Sequence, residues 1–438
     1  RFPLPEGLGH LAQSMHIPPA LKHRPSFLYW VGFMISAIGS QMQLWAIYWH
    51  LRTLSDQPLI ISGIGLARFL PVIILSLFAG VVADHFNRRR LAIITQTVLI
   101  FIALALGIMT QLQKTNLATI YILVIIQSIA VSFDLPARQS LIPSLVPRDA
   151  LPSAYSMNSI SSNVGSILGP AICGLVIAYL GLKWAYWINA FSYLAVIFAL
   201  FAMGPIQSQV VKTRMKLDQT LLDIREGIRF IRNSPIILSS MLMDFVASFF
   251  SSANTLLPFI ARDVLKVGAI GYGWLSAAQS IGTVSVAVIV SQKNNLRRQG
   301  YLLTGAILTS GVSTIVFGLS KAFWLTMAAL ILLGAGDGLN TIIRNTLRQM
   351  QTPDSMRGRM LSINMIFFKG GPQLGEVESG IVAQLFGVPV AIISGGVGCV
   401  LAVALLIRKF PMLLHYNGDE PMLVEQAVDQ SVFPAGSP

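Results

Sequence analysis

Long apolar stretches alternate with short polar segments along almost the whole chain. Twelve of these stretches approach or exceed about 20 residues, the length that an α-helix needs to cross a lipid bilayer. The pattern therefore predicts an all-α membrane protein. The expected spans are residues 27–50, 59–83, 91–112, 117–137, 153–181, 184–204, 235–261, 270–291, 300–319, 322–348, 358–387 and 388–408.

Composition agrees with a membrane protein. Of the 438 residues, 54% are hydrophobic and only 11% are charged, whereas soluble proteins have roughly 25% charged residues. The net charge of +13 does not indicate a nucleic-acid partner, because the basic residues lie in alternate loops without a basic, aromatic-interleaved face. Cys173 and Cys399 lie in apolar segments, so we expect no disulfide framework and no thiolate metal site. The histidines suggest no metal site either, and we expect no cofactor.

The distribution of basic residues predicts the orientation. With the N-terminus in the cytoplasm, 23 of the 31 Lys and Arg residues fall in cytoplasmic segments or at the cytoplasmic ends of spans, and six fall outside. Arg68 and Lys369 remain within spans. Cytoplasmic loops of membrane proteins carry the excess of basic residues. We therefore expect a multi-pass plasma (inner) membrane protein with both termini in the cytoplasm.

One interior segment, residues 205–234, is much longer than a turn and divides the chain. Within it, apolar residues recur at the spacing of an amphipathic helix, and the basic opposite face suits an anionic lipid leaflet. We expect this linker to lie on the membrane, with a partner-binding helix as the alternative. The expected organisation is a cytoplasmic tail (1–26), a six-helix half (27–204), the linker (205–234), a second six-helix half (235–409) and a cytoplasmic tail (410–438).

The two halves show related sequence features in the same order. Basic clusters at residues 87–90 and 295–298 follow the second and eighth spans. Gly169-Pro170 occurs in the fifth span and Gly371-Pro372 in the eleventh. Repeated six-span halves are typical of secondary transporters with a central binding site.

Three groups of residues resemble the major facilitator superfamily. Gly80-x-x-x-Asp84-x-x-x-Arg88-Arg89 resembles its signature between spans two and three. The fifth span resembles its antiporter signature at Gly165, Gly169, Pro170 and Gly174. Residues 136–139, 146–148 and 357–359 look like the branch that contains the enterobactin exporter and macrolide efflux proteins. The resemblance implies twelve transmembrane helices in two pseudo-symmetric six-helix bundles, and it implies export.

The resemblance also implies an inner gate. In the family, the loop acid caps the start of span eleven and the loop arginine pairs with an acid of span four. The corresponding residues are Asp84, Arg88 and Asp134, with Arg138 one turn after Asp134. The alternative is that Asp84 only caps its own hairpin.

An outer gate is expected from ionisable residues within spans, which are costly in a bilayer and usually functional. Arg68 in span two lies at a depth similar to that of Glu376 and Glu378 in span eleven. Because these two spans are neighbours in the family, we expect Arg68 to pair with one of these glutamates. The alternative is that Arg68 extends towards the lipid headgroups.

Proton coupling has two candidate locations near the middle of the membrane. Asp244 in span seven can be neutral there, since burial disfavours a charged carboxylate. Lys369 and Glu376 lie two turns apart on one face of span eleven. Either could carry the proton, and a helix–helix hydrogen bond is the alternative for Asp244.

A substrate cavity is expected among amides and aromatic residues, which suit a bulky, partly polar ligand. Ordinary helix packing is the alternative for each of them. The candidates are Gln41, Trp45, Gln127, Asn158, Phe245, Phe249, Asn254 and Asp337.

The resulting expectation is a secondary active transporter that exports an amphipathic, siderophore-like or drug-like molecule by proton antiport and alternating access. Its partners would be the small molecule, protons and the bilayer, and we expect a monomer. An importer of the same fold and a lipid or metabolite flippase are the alternatives. An enzyme is not expected, because the sequence has no phosphate loop, nucleophile elbow or HExxH motif.

Overall fold

Helices make up all the regular secondary structure in the described part of the computed structural model, which covers residues 18–204, 217–293 and 296–418. Each of the twelve expected spans coincides with helical structure. The long helices are α1 (Arg24–Leu54), α2 (Ile64–His85), α3 (Arg88–Gln111), α4 (Leu117–Leu141), α5 (Leu151–Tyr179), α6 (Leu182–Ala202), α7 (Pro235–Phe250), α8 (Gly268–Ser291), α9 (Gln299–Leu319), α10 (Phe323–Met350), α11 (Asp354–Phe386) and α12 (Val388–Lys409).

Ten helical segments within these described ranges are long and apolar enough to cross a membrane. The long helices α1 and α11 are not among them. The chain is therefore a multi-span helical protein, and the total of twelve spans stays a prediction. We call the face at which α1 begins the N-terminal face and the face at which α1 ends the distal face.

The two halves of the chain pack their helices in the same pattern. In the first half, α1 contacts α5 and α6, α4 contacts α2 and α3, and α3 contacts α6. In the second half, α7 contacts α11 and α12, α10 contacts α8 and α9, and α9 contacts α12. The halves contact each other mainly where α5 meets α8 and where α11 meets α2 and the preceding segment Pro58–Ser62.

Corresponding turns support the same repeat. Gly181 precedes α6 with φ +92°, and Gly387 precedes α12 with φ +93°. Glycine adopts this left-handed backbone without a steric penalty. These two glycines are 206 residues apart, as are Pro147 and Pro353 at the N-terminal face.

Span seven differs from the expected continuous helix over 235–261. Helix α7 ends at Phe250, and after residues 251–253 the chain continues as short helical segments, the last being a π-helix from Ile260 to Val264. Ser, Asn and Pro are poor helix-interior residues, and Ser251, Ser252, Asn254 and Pro258 concentrate here.

The linker forms a helix from Leu217 to Asn233 that packs against α7 and α11. Ile231 is buried in the core of the second half, whereas Ile228 and Arg229 are exposed. The expected amphipathic helix is therefore present, with one end docked on the protein. Residues 205–216 lie outside the described ranges.

The buried apolar residues show how the halves meet. One large cluster at the distal face contains residues of both halves, such as Leu51 and Ile61 with Leu256 and Phe259. Towards the N-terminal face, separate clusters lie within the second half and within the first half. Among the described residues, the two halves therefore share one apolar core at the distal face, whereas each half has its own apolar clusters at the N-terminal face.

Candidate functional site

An ion pair joins the halves at the distal face. Arg52 at the end of α1 donates from Nη2 to both carboxylate oxygens of Asp263, at 3.0 and 2.9 Å. The guanidinium also lies over the Phe259 ring, 4.7 Å from its centroid, and pairs with Asp56 one turn further along. Bidentate arginine–carboxylate contacts fix geometry as well as charge, so this contact aligns the two halves.

Sequence reasoning missed this pair because it counted Arg52 only as one of the six basic residues outside and did not consider Asp263. A signal was present, however. Arg52 follows the first span of the first half, and Asp263 follows the first span of the second half. Equivalent ends of two related halves can meet across a pseudo-two-fold axis.

Two neutral hydrogen bonds continue the distal contact inward. The Tyr272 hydroxyl on α8 donates to the Trp45 carbonyl on α1 at 2.9 Å. The hydroxyls of Ser62 and Thr255 lie 3.0 Å apart, and both residues are buried. Together with the shared apolar cluster, these contacts seal the distal face.

The expected outer-gate residues come together without forming the expected ion pair. Arg68 donates from Nη1 to the Tyr48 hydroxyl at 3.0 Å, and Glu376 is buried close enough to Arg68 for electrostatic interaction. Glu378 is partly exposed. The approach of α2 and α11 is therefore as expected, but Arg68 uses a tyrosine of α1 as its direct partner.

The expected inner-gate residues are partly assembled. Arg138 Nε lies 2.6 Å from Asp134 Oδ2, and Asp134 Oδ1 accepts hydrogen bonds from Thr95 and Gln96 on α3. Arg88 does not contact this acid but donates to the Ser140 carbonyl near the end of α4, at 3.0 Å. Asp84 lies in α2, and its side chain is outside the described part of the structure.

A second buried charged cluster involves Asp244. Its carboxylate pairs with Arg344, and Arg348 Nη2 lies 3.8 Å from it. Arg348 also donates to the Ser240 hydroxyl and carbonyl at 3.1 and 3.0 Å. Asp244, expected as a proton carrier, is thus held between two arginines of α10, and the side chain of Lys369 is outside the described part.

The two charged clusters occupy related positions. Arg138 and Arg344 are 206 residues apart, and so are Asp134 and Asn340. The first half neutralises its arginine within α4, whereas the second half uses an acid from α7. The ion pair of the second half therefore joins two helices, α7 and α10, whereas the ion pair of the first half lies within α4.

The expected cavity residues are distributed over several places. Trp45 and Asn254 line a small cleft between the halves, whereas Asn158 lines another cleft within the first half. Gln127 accepts from Gln43, at 3.2 Å, in a chain that continues to Asn189. Two others lie in helix contacts, Gln41 against Gly169 and Phe245 stacked on Phe249. Asp337 is an exposed residue of α10.

The glycines of the antiporter signature create close helix contacts. A Cβ atom on Gly169 would lie 2.5 Å from Gln41 Cβ on α1, and one on Gly165 would lie 2.9 Å from the Ala37 backbone. A Cβ on Gly174 would lie 2.5 Å from the Ala269 carbonyl of α8. The signature therefore joins α5 to its own half and to the other half.

Helix α11 repeats this spacing, with Gly371, Gly375 and Gly380 each 206 residues after their counterparts. A Cβ on Gly375 would lie 2.0 Å from the Phe249 carbonyl of α7, and one on Gly380 would lie 2.4 Å from Ser62 Cβ in the first half. Sequence reasoning aligned Gly169-Pro170 with Gly371-Pro372. The contacts show that this alignment is wrong and that the 206-residue register is the correct one.

Comparisons with known proteins agree with these features. Residues 20–429 match the family described as transmembrane secretion effector. The chain is 24% identical to the multidrug efflux pump Tap of Mycolicibacterium fortuitum over 375 residues, which are 84% of this chain and 91% of that protein. It is 26% identical to the enterobactin exporter EntS of Escherichia coli K12 over 347 residues, which are 78% of this chain and 82% of that protein.

Solved structures show a similar fold at low sequence identity. A bacterial homologue of the iron transporter ferroportin, in an inward-facing state, has a TM-score of 0.67 at 15% identity, covering 90% of this chain and 99% of that chain. A D-xylose–proton symporter has a TM-score of 0.67 at 13% identity, covering 91% and 99%. These likenesses concern the fold.

Proposed function

Because the chain belongs to the transmembrane secretion effector family of the major facilitator superfamily, we propose that it exports an amphipathic small molecule, siderophore-like or drug-like, from the cytoplasm by proton antiport. The relatives named as an enterobactin exporter and a multidrug efflux pump support export. Importers such as the D-xylose–proton symporter share the fold, so the direction of transport is part of the proposal.

The proposed architecture has all twelve long helices in the membrane, as two six-helix bundles joined by the linker. The matching helix contacts in the two halves support this arrangement. The excess of Lys and Arg supports an orientation with the N-terminal face and both terminal tails in the cytoplasm. The transporter would work as a monomer in the inner membrane.

One observation carries the mechanism: the described apolar core is continuous across the halves at the distal face and divided towards the N-terminal face. In the proposed orientation this is a state closed to the outside, into which substrate enters from the cytoplasm. Alternating access requires the distal contacts, including Arg52–Asp263, to separate. The inner-gate residues Asp84, Arg88, Asp134 and Arg138 would then hold the cytoplasmic side closed.

Glu376 is the proposed proton carrier, because it is buried where the halves must separate. Asp244 lies between Arg344 and Arg348, so a proton could reach its carboxylate only when α7 moves away from α10. Asp244, with Lys369, therefore remains a secondary candidate for coupling. The cleft at Trp45 and Asn254 marks the proposed end of the substrate path.

Transport into inverted membrane vesicles tests this function. With an acidic lumen, labelled enterobactin or a fluorescent drug-like cation should accumulate, and a protonophore should abolish the accumulation. Vesicles without the protein provide the control. Accumulation that is indifferent to the pH gradient would refute antiport, and accumulation only with an alkaline lumen would indicate an importer.

A further inference from the structure

The two places where the halves cross use corresponding helices, and they differ in what lies beside one glycine of each crossing. At the α5–α8 crossing, a Cβ atom on Gly273 would lie 2.7 Å from the Pro170 carbonyl. At the α2–α11 crossing, a Cβ on Gly65 would lie 2.6 Å from Glu376 Oε2. Glu376 follows Pro170, and Gly273 follows Gly65, by 206 and 208 residues. One crossing therefore holds a carboxyl group where the other holds a proline.

Two buried acceptor oxygens meet beside Gly65. A Cβ there would lie 2.6 Å from Glu376 Oε2 and 3.1 Å from Gln373 Oε1. Both oxygens are buried and have no hydrogen-bond donor among the described residues. Buried polar atoms normally have a partner, so two orphan acceptors beside the same glycine point to a donor or cation between them.

None of the described neighbouring side chains supplies that donor. Arg68 acts on Glu376 electrostatically, as does Tyr48, but Arg68 donates to the Tyr48 hydroxyl. The segment Pro58–Ser62 has no ionisable residue, and the ionisable residue of α7, Asp244, pairs with Arg344. On α12, Arg408 and Lys409 lie at the N-terminal face, as does the linker helix. Glu378 on α11 is partly exposed.

We propose that Glu376 carries a proton in this distal-closed state and donates it to Gln373 Oε1. One proton satisfies both orphan oxygens, and it removes the charge that would otherwise be buried at 3% exposure. When the α2–α11 crossing is open, water on the distal side reaches the carboxylate. A hydronium ion there gives up a proton, so that one of its O–H bonds breaks while the carboxyl O–H bond forms, and the crossing then closes over the neutral acid. Gln373 is thus a positioning residue for the proton site.

The direction of the pH effect follows from this assignment. The distal-closed state binds the proton more tightly than the open state, so protonation favours closure. Acid should populate the closed state, and alkali should open the distal face. The role of this proton in transport rests on the proposed function. The presence of the proton at Glu376 can be measured without any transported molecule.

Infrared spectroscopy of the full chain in lipid vesicles tests the assignment. A protonated carboxylic acid has a C=O stretching band separate from that of a carboxylate. The difference spectrum between the wild type and Glu376→Gln near neutral pH should show the loss of one such band. Glu378→Gln, on the same helix but partly exposed, is the matched control and should retain it. Gln373→Leu should shift the band to higher frequency, because the accepting oxygen is removed.

Four results would overturn the proposal. The first is an unchanged acid band in Glu376→Gln, and the second is a wild type in which Glu376 shows only carboxylate bands. The third is an unshifted band in Gln373→Leu. This variant still tests the proposal if Glu376→Gln does not fold. The fourth is loss of the band when sodium chloride replaces choline chloride at constant pH, which would identify a sodium site. If the acid band is confirmed but transport does not depend on the pH gradient, proton antiport is refuted and the proton site at Glu376 stands.

Discussion

At the residue scale, the charged pairs differ in how strongly they are buried. Asp134 is fully buried, and its partner Arg138 is largely buried. Asp263 is 42% exposed in its pair with Arg52. Removing one partner of a buried pair leaves an uncompensated charge, whereas exposed pairs are screened by water and salt. The first pair should therefore matter for stability and the second for the position of the halves.

Asp134→Asn should lower stability strongly, because Arg138 keeps its charge while losing its counter-ion. Removal of one member of a buried pair costs about 3–5 kcal/mol. The thermal midpoint of unfolding of the purified protein measures this loss. Asp263→Asn, which affects an exposed pair, is the control and should cost about 1 kcal/mol or less. Equal midpoints for the two variants would contradict the assignment of Asp134 to the core.

Arg52→Gln and Asp263→Asn should each open the distal face more often. A single cysteine at position 254, in the cleft between the halves, reports this opening through labelling by a membrane-impermeant maleimide. Loss of about 1 kcal/mol from an exposed pair raises labelling about fivefold at most, and high salt should act in the same direction.

Reversal of both charges, Arg52→Asp with Asp263→Arg, should restore slow labelling in part. Lys321→Gln, on an exposed loop at the same face, should have no effect. The distal ion pair would have no role in closure if the single and reversed variants were labelled alike.

Sequence reasoning placed Arg68 and Glu376 at one helix crossing but could not choose their partners. Depth in the membrane follows from counting residues along a span. The direct partner of Arg68 is instead Tyr48 on α1, and only three-dimensional packing brings that helix to this point. Likewise, Asp337 lies two turns before Arg344 on the same helix, but Arg344 pairs with Asp244 on α7.

At the element scale, the repeated glycine spacing in α5 and α11 is a packing device of both halves. The sequence showed both glycine series, but only the contacts established their 206-residue register. Because the same spacing occurs in the helix without the antiporter signature, close packing explains these glycines without reference to transport direction.

Gly174→Ala should destabilise the protein, because the new methyl group would lie 2.5 Å from the Ala269 carbonyl of α8. Overpacking of this kind typically costs about 1–3 kcal/mol. Gly305→Ala is the matched control, since a Cβ there meets nothing within 4 Å. Alanine is also the better helix former by about 1 kcal/mol, so the control midpoint should stay level or rise. A similar change in both variants would argue against a tight α5–α8 crossing.

At the scale of the whole molecule, the sequence predicted where helices occur because long apolar runs have few alternatives in a bilayer. It also predicted two related halves from short repeated motifs. It did not predict the break after Phe250, which depends on a few weak helix formers, nor the state of the molecule. Opening and closing of the halves depends on contacts between residues that are distant in the sequence, such as Leu51 and Phe259.

In the proposed mechanism, proton binding at Glu376 controls which face of the protein is closed. Spin-label distances across the two faces, measured in lipid vesicles at acid and alkaline pH, test it most directly. Lys114→Cys with Lys321→Cys reports the distal face, and Arg90→Cys with Arg408→Cys reports the N-terminal face; all four positions are exposed.

Raising the pH should lengthen the distal distance and shorten the N-terminal one, and Glu376→Gln should remove this response. Three results would contradict this mechanism. The distances could be independent of pH, they could change in the same direction at both faces, or they could still respond to pH in Glu376→Gln.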